Sequence, residues 1–267
     1  MSDILVDTPI DGVARLRFNR PESMNTLTFT MYELLIEHLE RIRYDHSVQV
    51  VIIAGSGRAF CAGHDLRAGG QPGWVDAELG RAQRNRAILA KLGQIPLLMR
   101  NLPQPIIVAV NGATAGAGYS IALAGDLALA AKSAKFVNAF HNAGSGHELG
   151  FSYMLPRAVG TQHAAEIMFT GRAVSAEEAA QIGLVLRTVE DDQLEAEALK
   201  LAESIMVNSP IGIAITKQTM WMNADAGSLA HAIELENRGI FVSTSTEDTA
   251  EKRKAFIEKR KPVFKGK

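Results

Sequence analysis

The sequence predicts a mixed α/β domain that is followed by a helical C-terminal region. Over roughly the first 190 residues, short apolar runs typical of buried strands alternate with longer runs that have helical periodicity. Beyond about residue 191, only helical periodicity remains. Alternating strands and helices indicate an α/β architecture, although the pattern alone is also typical of a doubly wound nucleotide-binding domain.

The first elements are two strands on either side of a helix. Residues 12–18 alternate apolar and polar side chains, which predicts a half-buried strand, and residues 48–54 are almost uniformly apolar and β-branched, which predicts a buried one. Between them, four apolar residues at helical spacing predict an amphipathic helix that ends near Tyr44. These residues are Met31, Leu35, Leu39 and Ile42.

A loop and a second helix follow. Residues 67–80 contain four glycines and one proline and have little periodicity, so they predict a mobile loop. A helix should begin near Arg81, and Pro96 should kink or end it before Met99.

The next strands enclose a short helix, and the chain then becomes helical throughout. Residues 105–110 predict another buried strand, residues 120–124 a short helix, and residues 127–131 and 136–137 short strands. The helices expected in the tail are 191–207, 210–223, 227–242 and 246–259.

Composition narrows the class of protein. Hydrophobic residues make up 47% of the chain and charged residues 21%, ordinary values for a globular protein with a sizeable core. A net charge of −1 argues against a nucleic-acid partner. Cys61 is the single cysteine, so no intrachain disulfide can form and a cytoplasmic location is expected. We also expect no membrane partner, since neither a signal segment nor a membrane-length apolar run is evident.

Two glycine-rich turns are the first candidates for chemistry. Residues 60–66 and 112–118 each follow a buried strand, and their small residues let the backbone approach a ligand and direct free N–H groups at it. A tight turn with no ligand is the alternative for either one. Neither turn has the Lys-Ser/Thr of a phosphate loop, and the second lacks the full Gly-x-Gly-x-x-Gly spacing of dinucleotide sites.

Taken in order, these motifs resemble the enoyl-CoA hydratase/isomerase (crotonase) superfamily. The resemblance extends from near residue 12 to the end of the chain. The segments that carry it are 19–27, 61–66, 111–118, 155–160, 169–172, 179–185 and 256–264.

The resemblance implies a fold, an assembly and a ligand. The fold would be a spiral core of ββα units over residues 1–195, with a C-terminal helical trimerisation region over residues 196–267. The assembly would be a homotrimer or a dimer of trimers. The substrate would be an acyl-CoA, with no cofactor beyond its coenzyme A moiety and no metal.

The resemblance also assigns an oxyanion hole and the residues around the substrate. The backbone N–H groups of His64 and Ala117 would bind the thioester oxygen. Two fixed donors stabilise the negative charge that develops there, and losing one such donor typically costs about 3 kcal/mol. The residues expected around the substrate are Asn25, Leu27, Ala62, Asp65, Leu66, Gly116, Gly118, Phe140, His141 and Gly144.

One carboxylate stands out because two others are missing. Typical hydratases of the superfamily carry two glutamates, and here the matching positions hold Ser120 and Phe140. Glu148 instead corresponds to the catalytic acid of Δ3,Δ2-enoyl-CoA isomerases and of 4-chlorobenzoyl-CoA dehalogenase. The dehalogenase also needs a histidine, which would fall near Gly93, and that predicted helix contains none.

The environment of Glu148 has two interpretations. Leu149, Phe151 and Tyr153 would form an apolar wall that raises the pKa of Glu148 toward the range of a general base. Alternatively, Glu148 is an N-terminal helix residue stabilised by the helix dipole.

Other charged and titratable residues have structural alternatives. His64, His141 and His147 would surround the site, with a structural or ligand-shaping role favoured for each. Asp65 and Asp126 are expected to cap helices or fix loops. Basic residues could meet the coenzyme's phosphates or form a solvated surface: Arg20, Arg157, Lys252, Lys254, Lys259 and Arg260.

We therefore expect a 3,2-enoyl-CoA isomerase in which Glu148 moves a proton from C2 to C4. The enzymatic alternative is an enoyl-CoA hydratase or an acyl-CoA hydrolase in which Glu148 activates water. The non-enzymatic alternative is an acyl-CoA-binding or RNA-binding scaffold.

Overall fold

The structure is a computed structural model that describes residues 2–68 and 70–266. Its strands are short and distributed over the first 190 residues. They are β1 Ile4–Asp7, β2 Val13–Phe18, β3 Val50–Gly55, β4 Ala59–Cys61, β5 Ile106–Val110, β6 Ala113–Ala115, β7 Leu127–Ala131, β8 Lys135–Val137, β9 Ala173–Ser175 and β10 Arg187–Val189.

The α-helices alternate with these strands and then continue alone. They are α1 Phe29–Arg43, α2 Arg81–Leu92, α3 Gln94–Asn101, α4 Ala117–Ala124, α5 Ala139–Asn142, α6 Phe151–Thr170, α7 Ala176–Gln181, α8 Leu194–Met206, α9 Pro210–Asn223, α10 Leu229–Thr244 and α11 Glu247–Ile257. Helix α6 is interrupted at Gly160, where φ is 75° and ψ is 163°.

The strands form two sheets, and the chain alternates between them. The larger sheet has the order β1-β2-β3-β5-β7-β10, and the smaller has the order β4-β6-β8-β9. From β3 to β8, each strand of the larger sheet is followed by one of the smaller sheet, so the chain winds as a spiral of ββα turns. The expected α/β spiral is confirmed.

The larger sheet is buried on both faces, which explains its uniformly apolar strands. In β3, Val51 and Ile53 join the main core, while Val50 and Ile52 face a second cluster on the other side. That second cluster includes Leu194, Ala198 and Ala202 of α8. Helix α8 therefore packs on this sheet and covers its second face.

We expected Pro96 to kink or end a helix, but it does not. The break falls earlier, at Gly93, which separates α2 from α3. Pro96 lies in the first turn of α3, where its missing N–H leaves no helical hydrogen bond unmade.

A buried ion pair joins α9 to the core. Lys217 Nζ lies 2.7 Å from Asp126 Oδ2 and donates to the carbonyls of Met99 and Gln104, each at 2.9 Å. Asp126 also accepts hydrogen bonds from Ile106 N at 2.7 Å and Trp221 Nε1 at 2.6 Å. Asp126 therefore fixes the loop before β7, as expected, and also anchors α9.

Among the described residues, no single helix is long and apolar enough to cross a membrane. Helices α8 and α9 have the length and apolar composition of a membrane span only when taken together, and they meet at a bend of 103°.

Candidate active site

The first glycine-rich turn is held against the loop before α1. Leu27 N donates to Gly63 O at 2.8 Å, and Asp65 N donates to Leu27 O at 3.0 Å. These two hydrogen bonds form a parallel β-bridge between Leu27 and His64. Gly63 has a φ of 99°, a conformation that favours glycine. Within the described residues, the His64 N–H donates to no backbone acceptor.

The second glycine-rich turn opens α4. Gly116 adopts a φ of 51°, and Ala117 is the first helical residue, so the Ala117 N–H has no acceptor within α4. The two turns are adjacent, since a Cβ built on Gly63 would lie 3.6 Å from Ala117 N, and one built on Gly116 would lie 3.8 Å from Gly63 Cα. The fold therefore brings together the two residues expected to form an oxyanion hole.

Asn25 and Gly118 were expected around the substrate, but their contacts are internal. The fully buried Asn25 amide donates to Ser56 O at 2.9 Å and to Ala59 O at 2.7 Å, and its oxygen accepts from Arg20 N. At Gly118, a Cβ would lie 2.2 Å from Cys61 O. The Asn25 side chain therefore holds a loop, and the absence of a Cβ at Gly118 lets α4 approach β4.

Asp65 and Arg20 also act within the protein. The Asp65 carboxylate pairs with Arg20 at 2.9 Å and accepts from the N–H groups of Arg67 and Ala68. The Arg20 hydrogen bond and charge hold the pKa of Asp65 below its usual value. Asp65 therefore fixes the loop that follows the first turn, and its carboxylate oxygens are already occupied.

The remaining expected substrate-binding residues differ in exposure. The side chain of Leu27 is fully buried, whereas Leu66 is 75% exposed. Ala62 is half-buried at the first turn, where its N–H donates to Met24 O. Gly144 lies exposed in the segment before Glu148, with a φ of 67°.

Two cavities differ in their relation to these turns. A small one of about 140 Å³ opens beside His64 and is lined by Phe29 and Leu66 among others. A much larger one of about 1370 Å³ is lined by parts of α3, α6 and α9 but not by His64 or Glu148. The small cavity is the one that gives access to the first glycine-rich turn. The expected loop 67–80 borders it, with Gly69 outside the described residues.

Hydrogen bonds to its backbone carbonyl fix the position of Glu148 beside α4. That carbonyl accepts a hydrogen bond from Ser120 Oγ at 3.2 Å and another from Phe151 N at 3.1 Å. Burial raises the pKa of the Glu148 carboxyl above its usual value. Glu148 precedes Gly150, the N-cap of α6, so it is not a residue of the first turn of that helix.

Aromatic side chains pack together in the segment that flanks Glu148. Phe140 and Phe151 are buried and pack together at 5.4 Å, and His147 stacks on Phe151 at 5.1 Å. Leu149 is also buried, but Tyr153 is 46% exposed and donates a hydrogen bond to Asp225. The apolar wall expected beside Glu148 therefore does not include Tyr153.

The three expected histidines lie in different environments. The His64 ring lies 5.1 Å from that of Phe29 and 5.9 Å from that of Tyr32, and burial lowers its pKa. Burial also lowers the pKa of His147. His141 is exposed, with its ring 5.1 Å from that of His147.

Tyr32 is a site residue that sequence reasoning missed. It is 1% exposed, its ring stacks on His64, and its hydroxyl has no hydrogen-bond partner among the described residues. Burial raises the pKa of Tyr32, and the charge of Glu148 adds to the increase. The feature of the sequence that could have identified Tyr32 is its hydroxyl, which follows Met31 on the apolar face of α1.

Three of the six basic residues proposed for the coenzyme's phosphates pair with carboxylates, and one of these is Arg20 with Asp65. Arg157 pairs with Asp225 at 3.1 Å, and Arg260 pairs with Glu251 and Glu258, each at 2.6 Å. In the part of the chain that the structure describes, no group of three or more His, Cys, Asp or Glu side chains could hold a metal ion.

Comparisons with known proteins agree with this geometry. The family model described as "Enoyl-CoA hydratase/isomerase" matches residues 9–267. A Mycobacterium tuberculosis protein named probable enoyl-CoA hydratase EchA12 is 42% identical over 266 residues, which cover 99% of this chain and 93% of that protein.

Solved structures extend the similarity to three dimensions. A probable enoyl-CoA hydratase/isomerase from Mycobacterium abscessus superposes with a TM-score of 0.92 at 38% identity and full coverage of both chains. A monofunctional enoyl-CoA isomerase from M. smegmatis has a TM-score of 0.73 at 40% identity, over 87% of this chain and 99% of that one. The chain belongs to the enoyl-CoA hydratase/isomerase family, whose crotonase fold it adopts.

Proposed function

We propose that this enzyme isomerises 3-enoyl-CoA esters to 2-enoyl-CoA esters with Glu148 as its single acid–base group. The observation that carries the proposal is the half-buried Glu148 carboxyl, whose pKa is raised by burial, in a segment flanked by the buried side chains of Phe140, Leu149 and Phe151. A carboxylate in such surroundings is a stronger base than one in water.

The proton moves between two carbons of the same substrate. Glu148 removes a proton from C2, and the electron pair delocalises through the C3–C4 double bond and the thioester as a dienolate. The N–H groups of His64 and Ala117 stabilise the negative oxygen. The protonated Glu148 then returns the proton to C4, leaving a C2–C3 double bond and a regenerated carboxylate.

The count of acids favours isomerisation over hydration. Ser120 and Phe140 occupy the positions of the two usual hydratase glutamates, and Asp65 is paired with Arg20. One carboxylate suffices for a proton shuttle, whereas hydration as the typical family members perform it uses two.

Hydration remains the second candidate because relatives such as the M. tuberculosis protein are named hydratases. In that reaction Glu148 would take a proton from water as the oxygen adds to C3 of a 2-enoyl ester. The neighbouring His147 ring, whose pKa is lowered by burial, offers a neutral nitrogen that could hold this water.

Product analysis separates the two reactions. Purified enzyme is incubated with 3-hexenoyl-CoA and, separately, with 2-hexenoyl-CoA, and products are separated by chromatography with mass detection. Isomerisation leaves the mass unchanged, whereas hydration adds one water. Hydration much faster than isomerisation would overturn the proposed reaction while leaving Glu148 as a base.

A pair of variants tests the role of Glu148. Glu148→Gln keeps the shape of the side chain but removes the proton acceptor, so turnover should fall about 100-fold or more. Glu203→Gln, at an exposed position of α8, should retain activity. Unchanged turnover in Glu148→Gln would remove Glu148 from the mechanism.

We also propose that the enzyme is a homotrimer, alone or as a dimer of trimers. Support comes from apolar side chains that α10 and α11 leave exposed, including Leu229, Phe241 and Phe256. Exposed apolar groups of this kind mark interaction surfaces. Light scattering coupled to size-exclusion chromatography should give a mass three or six times that of the 28.8 kDa chain, and a monomer would contradict the assembly.

A further inference from the structure

The His64 N–H belongs to a peptide group that Leu27 holds from one side. Gly63 O and His64 N lie in the same peptide group, and Gly63 O accepts a hydrogen bond from Leu27 N at 2.8 Å. This peptide bond is trans, so its N–H points away from its carbonyl oxygen and therefore away from Leu27. The hydrogen bond from Leu27 thus helps to set the direction of the proposed oxyanion donor.

Gly63 leaves the same peptide group free to turn. It adopts a φ of 99°, and without a Cβ it has access to a wider range of backbone angles than other residues. The bridge between Leu27 and His64 also lies outside the strands of both sheets. The direction of the His64 N–H therefore depends on what holds the rest of His64.

Two aromatic side chains of α1 hold the His64 ring. Its centroid lies 5.1 Å from that of Phe29, at an interplanar angle of 52°, and 5.9 Å from that of Tyr32, at 23°. Both distances are in the range of attractive aromatic pairs. A rotation of the backbone that displaced the Cα of His64 would have to break these contacts.

Tyr32 is itself fixed in the core. It is 1% exposed, and the neighbouring Met31 and Leu35 on the same face of α1 are fully buried. Thr28 caps the helix by accepting a hydrogen bond from Met31 N at 3.2 Å. The Tyr32 ring is therefore a rigid support for the side chain of His64.

Tyr32 is behind His64 as seen from the cavity at the first turn. His64 and Phe29 line this small cavity, whereas Tyr32 lines neither of the two cavities described above. A molecule bound at the first turn would meet His64 and not Tyr32. Tyr32 can therefore affect such a molecule only through the His64 ring.

We propose that Tyr32 is a positioning residue, whose ring stacks on His64 and so holds the His64 N–H in the direction that binds the thioester oxygen. This inference rests on the oxyanion hole of the proposed function. Stabilisation of the negative oxygen depends on the direction of its donors. A ring that orients the donor therefore affects the chemical step, whereas one that only fills the core affects stability alone.

Two substitutions separate the ring from the hydroxyl. Tyr32→Leu removes the stacked ring, so kcat with 3-hexenoyl-CoA should fall about 10-fold while KM changes much less, because misplacing a catalytic group impairs chemistry more than binding. Tyr32→Phe keeps the ring and should recover most of the lost kcat. Its missing hydroxyl leaves no group unpaired, since that hydroxyl has no partner among the described residues.

Leu39→Ala is the matched control for lost packing. Leu39 is fully buried on the same helix, about two turns beyond Tyr32. Its truncation should destabilise the protein in urea unfolding but leave kcat of the folded enzyme nearly unchanged. If Tyr32→Leu does not fold, Tyr32→Met replaces it, because the flexible methionine side chain fills irregular core space without restoring the ring.

A bound chromophore reports on the donor directly. The absorption of cinnamoyl-CoA shifts to longer wavelength when hydrogen-bond donors polarise its thioester carbonyl. Each variant is combined with Glu148→Gln, so that the ester is bound but not converted. Difference spectra at saturating protein should show the same red shift with Tyr32 and with Tyr32→Phe, and a clearly smaller one with Tyr32→Leu.

Two results would overturn the proposal, and they differ in what else they remove. Equal red shifts in Tyr32→Leu and Tyr32→Phe would show that the ring does not orient the donor, while the oxyanion hole would stand. No red shift with Tyr32 intact would remove the oxyanion hole itself. Neither result depends on whether the enzyme isomerises or hydrates its substrate, because both reactions place negative charge on the same thioester oxygen.

Discussion

The Ser120 hydroxyl donates a hydrogen bond of 3.2 Å to the backbone carbonyl of Glu148. Ser120 stands where typical hydratases of the family carry a glutamate, and it is fully buried in α4. Ser120, at the position where the glutamate is absent, thus fixes the backbone of the segment that contains Glu148. We expect Ser120 to be a positioning residue, because it would act on the substrate only through Glu148.

Ser120→Ala should lower kcat about 10-fold and change KM much less, since misplacing a catalytic group impairs chemistry more than binding. Freed from its tether, Glu148 should become better solvated, so the pKa seen in the pH profile should fall toward the usual value. Ser47→Ala, on an exposed loop, is the control. A change in KM alone, with an unshifted profile, would contradict the positioning role.

The backbone of the first turn should matter more than the side chain of His64. In Gly63→Ala the added Cβ would lie 3.0 Å from Ala115 O, and the φ of 99° would be strained. We expect kcat to fall about 100-fold, the scale for losing an oxyanion donor. His64→Ala keeps its N–H and should lose less. Steady-state kinetics of both variants check the order, and a reversed order would count against the backbone donors.

The activity should depend on the ionisation of Glu148. Because burial raises its pKa above the ordinary 4.5, the base becomes protonated, and kcat/KM falls, as the pH decreases through a value higher than 4.5. Activity should be full well above that value. The measurement is a pH profile of kcat/KM with 3-hexenoyl-CoA, corrected for enzyme stability at each pH. A profile that stays flat through this range would exclude Glu148 as the base.

The same shift predicts a stability difference. A carboxyl whose pKa is raised in the folded state favours folding when protonated, and this contribution is lost as the pH rises through the folded-state pKa. Glu148→Gln avoids the burial of a charge, so it should be more stable than the unmodified protein at about pH 8. Urea unfolding should show the difference shrinking as the pH is lowered from above the folded-state pKa of Glu148 to its ordinary value of 4.5, and a constant difference would contradict the shift.

Lys217→Met should destabilise the protein by about 3 kcal/mol or more, because it leaves the buried Asp126 carboxylate without its cationic partner. Lys200→Met, at a side chain that is 75% exposed, should change stability by less than about 0.5 kcal/mol. Urea unfolding of both variants provides the comparison. Equal stability of the two would show that the ion pair does not anchor α9.

The sequence by itself determined the strands of the large sheet, the long helices and the family. Uniformly apolar, β-branched segments such as β3 are typical of strands buried on both faces, and the two glycine-rich turns have the small residues that close backbone approach requires. The resemblance carried by these turns and by Glu148 was confirmed at the level of the family. Such features are local, so they can be recognised from neighbouring residues.

Only the tertiary structure decided how the side chains around the site are used. Asn25 and Gly118 belong to recognisable motifs, yet one holds a loop and the other admits Cys61 against α4. Tyr32 is about thirty residues from His64 in sequence, and the packing of α1 against the first turn stacks the two rings. A hydrogen-bond partner or a buried charge depends on contacts distant in the chain, and no periodicity within one segment encodes them.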